Sequence, residues 1–257
     1  PHPAYAPVSG NALAPGLYLV PTPIGNLADI TPRALQILTA ADCIACEDTR
    51  RTGLLLHLIG LPKKRLICIE AHRESAQVAD LIARLQQRQI VALVSDGGTP
   101  CLSDPGRWVV QAAQAADLPI ISLPGASAIT AAYAASGFPP PWTFYGFLAR
   151  KGAPRRAALT TIAERTSEAA ILFESPFRLL ALLKELAEDV RYQDRPLVLA
   201  QEISKIHETF HRGSPAGLLE QLSARAAIKG EWTVMIGPRA GSDETDENNQ
   251  AGDDPAP

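Results

Sequence analysis

The chain reads as an α/β protein made of two αβα domains, with a parallel-rich sheet in the first and a mixed sheet in the second. Three observations lead there. Between Gly16 and Gly137, short apolar runs alternate with amphipathic segments, the pattern of strands and crossover helices packed on both faces of a parallel sheet. Gly137-Phe138-Pro139-Pro140-Pro141 then breaks the pattern, because three successive prolines fit neither a strand ladder nor a helix. Beyond it, the apolar runs 196–201 and 207–212 are joined by only five residues. That is too short for a crossover helix, so the two must pair antiparallel.

The expected strands of the first domain are 16–20, 43–46, 65–69, 90–94 and 119–123. Ser75–Arg88 between the third and fourth carries Val78, Leu81, Ile82 and Leu85 on one helical stripe. The second domain offers Trp142–Leu148, Ala169–Phe173, Pro196–Gln201, His207–Arg212 and Trp232–Ile236, separated by two or three helices. Helix starts repeat one device, a capping residue before a first-turn proline: Thr31-Pro32, Asp104-Pro105, Ser175-Pro176 and Ser214-Pro215. The expected boundaries are a tail at 1–15, a domain at 16–137, a proline linker at 138–141, a domain at 142–238 and an acidic tail at 239–257.

Composition is that of an ordinary globular protein, 46% hydrophobic and 20% charged. No apolar run approaches the length of a membrane span, and the N-terminal residues lack a signal-peptide layout. Four cysteines, Cys43, Cys46, Cys68 and Cys101, form no disulfide framework, so a cytoplasmic protein is expected. The net charge of −3 is unevenly placed: residues 241–257 hold six acids and no Lys or Arg. The rest of the chain has 24 basic against 21 acidic residues, which permits a polyanionic partner. The tail itself is too polar to order itself around a core.

Residues able to do chemistry gather just after the expected strands. In open α/β sheets that is where ligands bind. Ile90–Val94 runs into Ser95-Asp96-Gly97-Gly98-Thr99-Pro100, where two glycines let backbone approach a ligand closely. The alternative is a plain tight turn. Neither a dinucleotide nor a nucleoside-triphosphate glycine fingerprint is present. The first strand leads into Pro21-Thr22-Pro23-Ile24-Gly25-Asn26, either a ligand loop at a helix N-terminus or a simple connector. The second ends in Glu47-Asp48-Thr49-Arg50-Arg51, charges that face a crevice or form a solvated loop. Cys43 and Cys46 are read as two core thiols rather than a metal pair, since no second pair with zinc spacing exists. Pro124-Gly125-Ala126-Ser127-Ala128 opens an Ala-rich helix. In the second domain Phe173-Glu174-Ser175-Pro176-Phe177-Arg178 repeats the strand, carboxylate and cap arrangement. Arg150, Lys151, Arg155 and Arg156 lie just past the linker, as phosphate contacts or as a solvated helix start. The histidines show no metal-ligand spacing, and no metal is expected.

Taken in order, VPTPIGNLADIT, CEDTRRTG, VSDGGTPCLSDPG, LPGASA, FESPFR and GEWTVMIG resemble the bacterial 16S rRNA cytidine 2′-O-methyltransferases. These belong to the tetrapyrrole methylase-like superfamily of S-adenosylmethionine-dependent enzymes. The resemblance runs from about Gly16 to Pro238. It implies two αβα domains with S-adenosylmethionine in the cleft between them, a homodimer, and the small ribosomal subunit with its 16S rRNA as partner. The implied cofactor residues are Pro23, Gly25, Gly97, Gly98, Thr99, Ala126, Ser127 and Ala128 from the first domain. From the second they are Glu174, Ser175, Thr233 and Met235. A carboxylate near the ribose hydroxyl would act as general base, and Glu47, Asp48 and Asp96 are the candidates, with no choice among them. Arg50, Arg51, Arg150, Lys151, Arg155 and Arg156 are the candidate RNA contacts. Two other classes fit the same fold: a C-methyltransferase acting on a tetrapyrrole, and a non-catalytic RNA-binding module.

Overall fold

The computed structural model describes residues 13–69 and 74–239. Except for residues 13–15 and 239, the two expected tails lie outside the described residues, as does His72. The chain forms two compact units that meet in sequence at Ser127 and Ala128. This junction precedes the proline run expected as linker, because the helix Ala128–Ser136 packs on the strand Trp232–Ile236 of the second unit.

In the first unit the strands are β1 (Gly16–Leu19), β2 (Cys43–Cys46), β3 (Leu66–Cys68), β4 (Ile90–Leu93) and β5 (Ile120–Ser122). They form one sheet in the order β3-β2-β4-β1-β5 with every neighbouring pair parallel. Helices α1 (Pro32–Ala40), α2 (Thr49–Leu58), α3 (Glu74–Gln86) and α4 (Arg107–Ala115) connect them. Alternation along the strands divides the interior into two cores. Tyr18, Ile44, Cys46 and Ala92 pack with Ile37 and Leu38 of α1 and Leu56 of α2. Leu17, Cys43, Ala45, Val91 and Leu93 pack with Leu81 of α3 and Val109 of α4. Cys43 and Cys46 thus point to opposite faces of the sheet. Each is fully buried, and burial raises both thiols above their ordinary pKa, Cys46 to about 11. They are core side chains.

The second unit begins with α5 (Ala128–Ser136) and holds β6 (Trp142–Phe147), β7 (Ala169–Glu174), β8 (Leu197–Gln201), β9 (Thr209–Gly213) and β10 (Trp232–Ile236). Their order is β6-β7-β10-β8-β9, with β6 and β7 parallel and every other neighbour antiparallel. The expected antiparallel pairing of the two closely spaced runs is the β8–β9 pair. Helices α6 (Ala153–Glu164), α7 (Leu179–Glu188) and α8 (Pro215–Ser223) complete the unit. Leu159, Ile162, Leu182, Leu186 and Leu218 from them share a core with Leu172, Leu199 and Val234 of the sheet. Arg195, only 1% exposed, ties that core to its rim: its guanidinium donates to the carbonyls of Ile162, Glu168 and Gly237, each at 2.6 Å.

Two of the four expected helix starts form as read. Thr31 accepts from Ala34 N at 3.1 Å and Ser214 from Gly217 N at 3.2 Å, each with proline next in the helix. The other two do not. After Asp104-Pro105 the helix begins only at Arg107, with Gly106 at the cap position. Gly106 has φ +121°, outside helical geometry, so α4 starts after it, and a Cβ there would lie 2.9 Å from the Leu93 side chain. After Ser175-Pro176 a turn intervenes, closed by Arg178 N donating to Ser175 O at 3.0 Å, and α7 begins at Leu179.

Candidate functional site

Sheet order explains why separate sequence motifs meet in the first unit. β2, β4, β1 and β5 are consecutive neighbours, so the loops leaving their carboxyl ends lie side by side. The loops after β1 and β4 are joined by an antiparallel bridge: Thr22 N donates to Gly98 O at 3.0 Å and Gly98 N to Thr22 O at 2.8 Å. Two buried hydroxyls brace this junction. Thr22 Oγ1 donates to Ser95 O, and Ser95 Oγ to Gly98 O, both at 3.1 Å. The loop after β5 joins through Thr99 Oγ1, which donates to Ala126 O at 3.3 Å. It also touches the first loop, since a Cβ on Gly125 would lie 2.6 Å from Pro21 Cβ, closer than any side chain allows. Pro23, Gly25, Gly97, Gly98, Thr99 and Ala126 therefore belong to one cluster of loops, with Ser127 following and Ala128 opening α5.

That cluster suits a ligand whose polar groups are met by backbone. Gly97 and Gly25 are exposed, and a Cβ on Gly97 would sit 3.5 Å from Pro23 O, occupying the space between the first two loops. At Gly98 the backbone has φ +88°, a conformation costly to any L side chain, and a Cβ would lie 3.3 Å from Ile24 Cγ2.

Beside this cluster lie the carboxylates expected as candidate bases, and their surroundings differ. Asp48 caps α2: Oδ1 accepts from Arg50 N at 2.8 Å, and both carboxylate oxygens take bonds from the Arg50 side chain, at 3.1 and 2.7 Å. These bonds hold its carboxyl well below the usual carboxylate range. Arg50 accordingly turns its forked edge to Asp48 while its side chain stays exposed. Asp96 accepts from Asp48 N at 3.3 Å and pairs with Arg51 Nη1 at 3.2 Å, fastening the β4 turn to α2. Arg51 stays largely exposed. Glu47 is half-buried, and burial, with the nearby Asp96 charge, raises its pKa.

A fourth carboxyl belongs with these, and its place in the sequence suggested only a helix cap. Burial, aided by the negative charges of Glu47 and Asp96, pushes Asp104 up to about 6, against a hydrogen bond from Ser95 that acts the other way. Its Asp-Pro dipeptide favours a cap. The contacts that matter come from β2 and β4, which are distant in sequence. Among the described residues no group of His, Cys, Asp or Glu is arranged to hold a metal ion.

In the second unit the expected contacts sort differently. Arg150, Lys151 and Arg156 are exposed, but Arg155 is 5% exposed, which corrects its reading as a phosphate contact. It lies on the inner face of α6 with Leu159 and Ile162, donating to Glu185 through Nε at 2.8 and 3.1 Å. Glu174 is 2% exposed and committed to ion pairs within its own unit, with Arg178 Nη2 at 2.7 Å and Arg155 Nη1 at 3.8 Å. Ser175 opens the turn before α7, its hydroxyl accepting from Arg178 Nε at 3.3 Å. Thr233 and Met235, 4% and 0% exposed, are interior positions of β10 on the face opposite Trp232, Val234 and Ile236. No helix among the described residues is long and apolar enough to cross a membrane.

Comparison with known proteins gives this arrangement a lineage. The chain is 46% identical to ribosomal RNA small subunit methyltransferase I of Escherichia coli O157:H7, over 79% of this chain and 70% of that protein. It is 42% identical to the protein of the same name from Micromonospora olivasterospora, over 89% of this chain and 72% of that one. Uroporphyrin-III C-methyltransferase from Thermus thermophilus, solved in complex with S-adenosyl homocysteine, superposes with a TM-score of 0.60. The alignment covers 86% of this chain and 97% of that one at 17% identity, a likeness of fold. The model of the tetrapyrrole (corrin/porphyrin) methylases matches residues 16–219, and the chain belongs to that family.

Proposed function

We propose that this protein is an S-adenosylmethionine-dependent methyltransferase that methylates the ribose 2′-oxygen of a cytidine in 16S rRNA, acting in the cytoplasm as a homodimer on the small ribosomal subunit. The observation that carries the reading is the convergence of the loops after β1, β4 and β5 beside the carboxylates that follow β2 and β4. The relatives' names support an RNA substrate over a tetrapyrrole. S-adenosylmethionine, when bound, supplies an electrophilic sulfonium methyl group.

The chain's own tasks are to hold the cofactor, orient the hydroxyl and receive its proton. Holding falls to Pro23, Gly25, Gly97, Gly98, Thr99 and Ala126, with Ser127 and Ala128 at the start of the next helix. In the second unit Thr233 and Met235 are buried in the sheet, and the Glu174 carboxylate is engaged by arginines of its own unit. Fixing the reacting atoms in line supplies most of the acceleration, about 7–11 kcal/mol where alignment is good. The proton goes to the Glu47, Asp96 and Asp104 group rather than to Asp48, whose lone pairs face Arg50. Asp104 is matched to that task because a base that titrates near the working pH accepts a proton most effectively.

The test is transfer of tritium from labelled S-adenosylmethionine to purified 30S subunits, to naked 16S rRNA and to a uroporphyrinogen. Label in RNA that survives alkaline hydrolysis as a dinucleotide marks a 2′-O-methyl group, since the blocked oxygen can no longer attack the adjacent phosphate. Label in the tetrapyrrole alone would overturn the reading, and RNA binding without transfer would leave a binding module. Sedimentation equilibrium tests the dimer.

A further inference from the structure

Adjacent parallel strands β6 and β7 run into two loops, 148–152 and 175–178, at the same end of the second sheet. Glu174 sits between them as a buried hub. Its Oε1 accepts from Ser175 N at 2.8 Å and Arg178 Nη2 at 2.7 Å, and its Oε2 lies 3.8 Å from Arg155 Nη1. The two arginines then reach successive carbonyls of the other loop: Arg178 Nη1 donates to Leu148 O and Arg155 Nη1 to Ala149 O, each at 3.3 Å. One carboxylate and two guanidinium groups thus clamp both loops.

What the clamp presents is unusual for a surface. Phe177 is 95% exposed although it sits in a closed turn, with Arg178 N bonded to Ser175 O. Arg150 and Lys151, next in the chain after the clamped carbonyls, are exposed and carry no ion pair among the described residues. The segment 148–156 contains no acidic residue. An exposed aromatic ring on a hydrogen-bonded turn, with unpaired cations on the adjoining loop, matches the chemistry of single-stranded RNA, whose bases offer π-faces and whose phosphates offer charge. A second copy of this chain fits less well, because a two-fold contact there would bring the same cations together.

We propose that Phe177, Arg150 and Lys151 form a platform for unpaired RNA: the ring stacks on one base, the two cations meet flanking phosphates, and Glu174 holds the loops in register. The proposal rests on the rRNA substrate proposed above and adds how unpaired nucleotides are held. Contacts of this kind bind single strands with little sequence preference, so nucleotide choice is left to other parts of the protein.

The experiment uses the full chain and a fluorescein-labelled 12-nucleotide oligoribonucleotide without stable secondary structure, alone and annealed to its complement. Anisotropy titrations at several salt concentrations compare the parent with Phe177→Ala, Phe177→Trp and the double variant Arg150→Ala, Lys151→Ala. Phe177→Ala should weaken single-strand binding about 5- to 100-fold with the salt slope unchanged, and Phe177→Trp should restore it. The double variant should reduce the slope by about 0.7 per lost phosphate contact. Phe177→Ala binding the single strand like the parent overturns the platform, as does an equal loss on the duplex. Loss of binding together with conversion of a dimer to monomers in sedimentation assigns Phe177 to contacts between copies instead. A parent that methylates subunits while Phe177→Ala matches it in binding sinks the platform alone. A parent that neither binds RNA nor transfers methyl to it sinks the rRNA reading and the platform together.

Discussion

Thr22 and Gly98, 76 positions apart in the chain, exchange two backbone hydrogen bonds of 3.0 and 2.8 Å. This bridge fixes the loop after β1 against the turn after β4, and it requires Gly98 to hold φ +88°. Neither loop has a repeating hydrogen-bond ladder of its own to set its shape. The bridge and the buried Thr22 and Ser95 hydroxyls replace one.

Gly98→Val tests that junction. A branched side chain at positive φ strains the backbone by about 1–2 kcal/mol, and its Cβ starts 3.3 Å from Ile24 Cγ2. We expect lower thermal stability with the fold retained, and loss of S-adenosylmethionine binding in calorimetry. Unchanged cofactor affinity would remove the turn from the binding site.

The second prediction concerns pH. Asp104 titrates near 6 in the folded protein and near 4 when unfolded, so the fold favours its protonated form. Folding therefore takes up a proton between those values, and this residue's contribution to stability falls as pH rises from about 4 to about 6, then levels. Asp104→Asn removes that dependence, so urea titrations of parent and variant should differ in their pH slope across the window. In single-turnover methyl transfer the parent rate should rise through about pH 6, and Asp104→Asn should be slower by about 10²-fold or more. Asp48→Asn should stay within a few-fold of the parent in the chemical step. The opposite ranking would return the role of base to Asp48.

Much of this arrangement is legible in the sequence, for identifiable reasons. Apolar runs ending in glycine, proline and charged residues locate the strands of the first unit, and their parallel pairing follows from the helices between them. The small residues after β1, β4 and β5 mark places where backbone has room to approach a ligand. Residue type alone leaves a tight turn or a connector equally open, and it is the resemblance that assigns them to a cofactor. Arg155 is a different case. Within Arg150-Lys151-Gly152-Ala153-Pro154-Arg155-Arg156 it looks like its neighbours, yet it lies four residues before Leu159 and seven before Ile162. That helical phase is the signal of its burial, and composition alone hides it. Asp104 and Glu174 carry no such local sign. Their environments are made by residues 47, 96 and 155, brought near by sheet order and helix packing.

Arg195→Met should be severely destabilising. The guanidinium is 1% exposed and serves three carbonyls, two of them, on Ile162 and Gly237, in buried bonds. An orphaned buried acceptor costs about 1–3 kcal/mol, so a loss of at least about 3 kcal/mol is expected even with partial relaxation. Urea unfolding in a Trp108→Phe background, monitored by Trp232 and Trp142 fluorescence, reports on the second unit, where the loss should appear. A change under about 1 kcal/mol would mean that water or a neighbour takes over all three bonds.

Glu174→Gln separates two roles for a residue that the family resemblance associates with the cofactor. In the structure its carboxylate is 1% exposed and neutralises Arg178 at 2.7 Å and Arg155 at 3.8 Å. Glutamine keeps the shape and one acceptor oxygen but leaves two guanidinium groups short of charge in a dry site. Breaking a buried pair in this way costs about 3–5 kcal/mol, reduced here because Arg155 keeps Glu185 and Arg178 is partly exposed. We therefore expect about 2–3 kcal/mol of destabilisation in urea, and faster tryptic cleavage after Arg150 and Lys151 as the clamp on Leu148 and Ala149 loosens. Single-strand RNA affinity should fall with it, while S-adenosylmethionine affinity, measured by calorimetry under conditions where the variant is fully folded, should change less than about 3-fold. A cofactor contact would give the reverse pattern: intact stability, unchanged proteolysis and a large loss of S-adenosylmethionine binding. That outcome would mean Glu174 leaves its arginines when the cofactor arrives.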